Sequence, residues 1–68
     1  MDDNIIKRYL EVVKTILINK YNLDKYLAAK IIKQSYISSI IELYPEECLH
    51  EDIEEVSDNI YHDYLEGV

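Results

Sequence analysis

Residues 6–17 read Ile6-Lys7-Arg8-Tyr9-Leu10-Glu11-Val12-Val13-Lys14-Thr15-Ile16-Leu17, and the apolar members Ile6, Tyr9, Leu10, Val13, Ile16 and Leu17 recur at intervals of three and four. That spacing puts them on one face of a helix, where a half-buried strand would alternate every second residue. With Asp2, Asp3 or Asn4 available as cap and Lys20 suited to the last turn, a helix is expected from about 4 to 20. Tyr21-Asn22 breaks the period. Asp24 then caps a second helix over about 25–34, with Leu23 able to staple against Ala28. Ser35 ends that helix or caps the next, in which Ile37, Ile40, Ile41 and Tyr44 share a face until Pro45 forces Tyr44 out of the helical region. Pro45 to His50 reads as a short acidic loop anchored by Leu49. Asp52 followed by Glu55 has the form of a capping box, and Ile53, Val56, Ile60, Tyr61, Tyr64 and Leu65 make the seam of a last helix over about 52–66, closed by Gly67. One glycine and one proline leave almost no strand-turn punctuation. The expectation is all-α: a single domain over 1–68, built as a compact bundle or orthogonal array of four short helices.

Charge is distributed unevenly along this pattern. All seven Lys and Arg lie within residues 1–33 beside four acidic residues, net +3, whereas residues 34–68 hold ten acidic residues and no Lys or Arg, net −10, which together give the −7 of the chain. Such asymmetry favours oriented recognition of a charged partner over catalysis. A chain of 68 residues buries only roughly 60% of its unfolded surface. Its 49% hydrophobic content therefore leaves apolar surface for a partner or for a second copy of itself, so a homodimer is among the expectations. Cys48 has no second cysteine to bridge, the opening Met1-Asp2-Asp3-Asn4 is acidic where a secretory leader is basic, and no apolar run approaches the roughly 20 residues of a membrane span. A cytoplasmic setting without a membrane partner is expected.

Several residue sets invite chemistry and read better as structure. Ser35, His50 and Asp52 are the types of a hydrolase triad and Cys48 with His50 those of a thiol pair, but short-loop neighbours with no glycine-rich turn supply neither the geometry nor an oxyanion hole. No enzyme activity and no catalytic residue is expected. Glu54, Asp58 and His62 recur every fourth residue, and His50 stands beside Glu51 and Asp52; neither is a metal-ligand spacing, so a solvated helix face is expected for the stripe and a helix N-terminal contact or a partly buried hydrogen bond for His50, with no metal and no cofactor. Residues 24–45 have the outline of a helix-turn-helix, yet their second helix offers serines, tyrosines and Glu42 where base-reading Arg, Lys, Asn or Gln is needed. Nucleic acid is the less favoured partner. All seven aromatic residues are tyrosines, a type that suits half-buried contact surfaces, with Tyr26, Tyr36, Tyr61 and Tyr64 as candidates for a contact patch.

Tyr21-Asn22-Leu23-Asp24, Ala28-Ala29, Ser35, Tyr44-Pro45-Glu46, Leu49-His50-Glu51-Asp52 and Ile60-Tyr61 resemble short uncharacterised helical proteins of low-GC bacteria, some of them antitoxin-like. The resemblance spans about residues 20–65 and implies a cytosolic binding protein in which Leu49 and His50 fix a loop. Residues and resemblance together lead to a non-enzymatic interaction module, antitoxin-like or regulatory, that sets an acidic helix face and tyrosines on a basic protein such as a toxin or nuclease. Its expected partner-binding residues are Glu51, Glu54, Glu55, Asp58, Tyr61 and Asp63. The alternatives are a dimeric helix-turn-helix-like DNA-binding regulator working through the lysines of the first two helices, and an acidic nucleic-acid mimic that inhibits a nuclease.

Overall fold

The first apolar stripe forms α1, Asp3–Tyr21, in the computed structural model, which describes residues 3–67. Of the three candidate caps, Asp2 lies outside the described residues, and the helix already includes Asp3 and Asn4. Asn22 stops it, with a φ of 54° in the left-handed region that asparagine tolerates better than most residues. α2 covers Lys25–Gln34, as expected, α3 covers Tyr36–Leu43, and Ser35 alone separates them. Asp24 stands at the N-cap of α2 with extended backbone, but its side chain makes no capping hydrogen bond. Ser35 is both C-cap and N-cap, and its hydroxyl donates back to the Ile32 carbonyl at 2.6 Å.

The expected acidic loop is itself a helix, α4, Pro45–His50, so five helices among the described residues replace the anticipated four. Pro45 does end α3, since Tyr44 is pushed to φ −133° and ψ 60°. Proline also suits the first turn of a helix, where its missing N–H has no carbonyl to bond. Glu46 and Glu47 in the first turn and His50 in the last complement the helix dipole. Within α4, Cys48 is buried, and Leu49, the expected anchor, packs half-buried against the core. The last helix, α5, runs Ile53–Glu66, and Asp52 caps it by accepting from the Glu54 N–H at 3.0 Å. Gly67 follows with its N–H bonded to the Asp63 carbonyl and an ordinary right-handed φ of −81°.

Among the described residues the fold is all-α. Its core joins Val13 and Leu17 of α1, Ala28 and Ile31 of α2, Ile37 and Ile41 of α3, Cys48 of α4, and Val56 and Ile60 of α5. Ser57 is also buried and satisfies its hydroxyl on the Ile53 carbonyl one turn earlier. α1 packs chiefly on α5 and α2, while α3 packs on α4. The radius of gyration, 11.2 Å, is that of a packed globule of this length, for which about 11 Å is expected. No helix among the described residues is long and apolar enough to cross a membrane.

Candidate interaction surface

The acidic half of the chain does not present its carboxylates on one face. Helical residues advance about 100° each, so Glu54 and Asp63, nine apart, lie on opposite sides of α5. Glu54, Asp58 and Tyr61 sit on the flank that meets α1. There the Lys20 ammonium contacts Glu54 Oε1 at 3.3 Å and Asp58 Oδ1 at 2.9 Å, and the Tyr21 hydroxyl donates to Asp58. The Tyr21 and Tyr61 rings stack, with centroids 3.9 Å apart and planes within 15°. The Tyr21 hydroxyl, and after it Lys20, holds the Asp58 carboxyl below its ordinary value. Asp58 in turn raises both Lys20 and Tyr21. Three of the six expected partner-binding residues are thus engaged inside the molecule, although Glu54 remains largely exposed. Glu51, Glu55 and Asp63 face solvent and form no ion pair among the described residues.

A second acidic feature lies at the α3/α4 corner. Leu43 and Tyr44 are 72% and 57% exposed, and a shallow groove of about 280 Å³ runs along them and Pro45, Glu46 and Glu47. Glu42 precedes the pair and Glu46 and Glu47 follow it, all three exposed. Two large side chains, one aliphatic and one aromatic, thereby stand in water between exposed acidic residues of the chain. Leu43 was detectable beforehand, because it falls off the face shared by Ile37, Ile40 and Ile41. Tyr44 was not: it belongs to that face by count, but Pro45 takes it out of the helix, so the helical period no longer fixes its direction.

The tyrosines divide among several places. Tyr36 and Tyr64 line one groove between α2, α3 and α5, whereas Tyr61 lies under Tyr21 and Tyr26 extends into solvent beneath Lys25. Burial, then the nearby Glu51, Asp63 and Cys48, raise the Tyr36 phenol, while a hydrogen bond from Asn59 works the other way. Tyr9 is buried in the core, and its hydroxyl has no hydrogen-bond partner among the described residues. Burial first, then Cys48, Glu51 and Tyr36, push it up to about 12.

The residues that suggested other chemistry lie apart. Ser35 turns its hydroxyl to the backbone, Asp52 caps α5, and His50 is exposed. Among the described residues no group of three His, Cys, Asp or Glu is placed to hold a metal ion, and His62 stands edge-on to Tyr61. α2 and α3 join through Ser35 alone, shorter than the 3–4-residue turn of a helix-turn-helix. Comparison with family models, curated protein sequences and solved structures finds no match to this chain.

Proposed function

We propose that this protein is a non-enzymatic interaction module of the antitoxin-like or regulatory kind, acting in the cytoplasm by docking its acidic side on a basic protein such as a toxin or nuclease. The exposed Leu43-Tyr44 pair within the carboxylates Glu42, Glu46 and Glu47 carries the reading. Apolar and aromatic anchors inside a charged rim are the arrangement of a binding hot spot: the anchors supply affinity, and the charges steer the approach and exclude like-charged partners. Glu51, after α4, and Glu55 and Asp63 of α5 extend the same sign of charge. Glu54, Asp58 and Tyr61 serve the surface indirectly, by fixing α5 against α1.

The test is capture of basic proteins from the native cell at low and moderate salt. Wild type is compared with a variant carrying Glu46→Gln, Glu47→Gln, Glu51→Gln and Glu55→Gln, and with Leu43→Ser/Tyr44→Ser. A basic partner held by wild type, weakened by salt and lost by both variants is the expected result. Equal retention by all three proteins rejects the acidic surface.

A further inference from the structure

A second groove lies away from that corner, where the end of α2, the start of α3 and the last turns of α5 leave a space of about 470 Å³. This is within the size range of ligand clefts. Buried Ile31 and Ile60 form its floor, and Gln34, Tyr36, Asp63 and Tyr64 form its walls. Gly67 closes one end, where the final carbonyls of α5 emerge. Those carbonyls carry the negative end of the helix dipole, and no basic residue occupies the last turn to offset it. Asp63 adds a full negative charge, while Lys30 and Lys33, on the neighbouring α2, do not line the groove.

An occupant must therefore be cationic at its tip and apolar along its stem. A lysine meets the charge requirement only as a strongly hydrated point. An arginine meets more of the site, because its methylenes can lie on Ile31 and Ile60, its planar guanidinium can stack on tyrosine, and its fork matches a carboxylate. We infer that this groove receives an arginine side chain of the basic partner, with the guanidinium paired to Asp63 and set against the rings of Tyr36 and Tyr64. The inference rests on the basic-partner reading above and adds to it the chemistry of one contact.

The free protein suffices for the test. Isotope-labelled protein is titrated with acetyl-arginine-amide, with its lysine counterpart and with the neutral isostere acetyl-citrulline-amide, while backbone amide resonances are followed. Arginine is expected to produce saturable shifts centred on Gln34, Tyr36, Asp63 and Tyr64, and binding is expected to weaken about tenfold or more for citrulline and for Asp63→Asn. Asp63 is exposed, so that variant should keep the wild-type spectrum before ligand is added. Shifts that are absent, scattered over the surface, as strong with lysine or citrulline, or unchanged by Asp63→Asn overturn the assignment. Failure here removes the groove and leaves the acidic corner to the capture experiment, whose variants retain Asp63. Failure of capture alone removes the basic partner.

Discussion

Tyr21 and Tyr61 lie ring on ring, 3.9 Å between centroids, while the Tyr21 hydroxyl reaches past the stack to Asp58, one turn earlier on α5. This joint shows how the charge asymmetry of the sequence is used within the fold. The last lysine of α1 and the tyrosine beside it bind two of the carboxylates of α5, so part of the polarity holds the two helices together. The rest, at the α3/α4 corner and on the outer side of α5, faces solvent.

The joint should respond to pH through Asp58. Its folded carboxyl titrates below the ordinary value of 3.8, so the stabilisation it gives is fully present above that value and is lost as pH falls through the folded one. Asp58→Asn is expected to melt below wild type at pH 7, and the difference should close in acid. Thermal melts at several pH values check this; a difference that persists in strong acid would show that the amide, not the loss of charge, is responsible. Lys20 has the opposite sign. Its raised pKa gives stability that is present below 10.5 and lost as pH rises through the folded value.

Asn22 makes a second test, of the chain reversal between α1 and α2. At φ 54° a residue with a branched Cβ is strained, whereas glycine is not. Asn22→Gly should leave stability unchanged or slightly higher, and Asn22→Val should lower it by about 1 kcal/mol, or roughly 4–8 °C in melting temperature for a domain this small. Asn22 is exposed, so a change of packing does not confuse the comparison.

The helical period and its interruptions located α1, α2, α3 and α5 because both are local: Val13, Leu17, Val56 and Ile60 point inward by spacing alone, and Asn22 and Ser35 break the pattern where the helices break. α4 is not legible in the same way, because Pro45 both ends α3 and, with its fixed φ, opens the next helix. The candidate site was legible as a sign of charge but not as a surface. Whether Asp58 faces a partner or Lys20 depends on how α1 meets α5, a relationship across 38 residues of chain that no local pattern contains.

The Tyr9 hydroxyl supplies a third prediction. It is buried without a hydrogen-bond partner, a situation that costs roughly 1–3 kcal/mol. Tyr9→Phe keeps the ring and removes the unsatisfied group, so it should raise stability by about 1 kcal/mol. Urea unfolding measures the difference, and a loss of stability would mean that the hydroxyl is hydrogen-bonded in solution. Because burial raises its folded pKa from 10.0 to about 12, ionisation of Tyr9 does not affect stability below 10 and lowers it as pH rises from 10 toward 12, where the phenol ionises more readily in the unfolded chain. The phenylalanine variant should accordingly lose less stability over that interval.

The engaged carboxylates of α5 and the solvent-facing ones on and just before it should also separate by their effect on stability. Glu51→Gln, Glu55→Gln and Asp63→Asn each remove one negative charge, taking the chain from −7 to −4. These side chains are exposed and form no ion pair, so each change should stay within about 0.5 kcal/mol, and lower self-repulsion should tend to raise the melting temperature. Glu54→Gln with Asp58→Asn removes the same sign of charge but also the partners of Lys20 and Tyr21, and should lower it. If both sets behave alike, the joint adds nothing beyond mean charge. If they diverge, Glu51, Glu55 and Asp63 can be altered in binding experiments without disturbing the fold, whereas changes at Asp58 cannot be read as effects on binding alone.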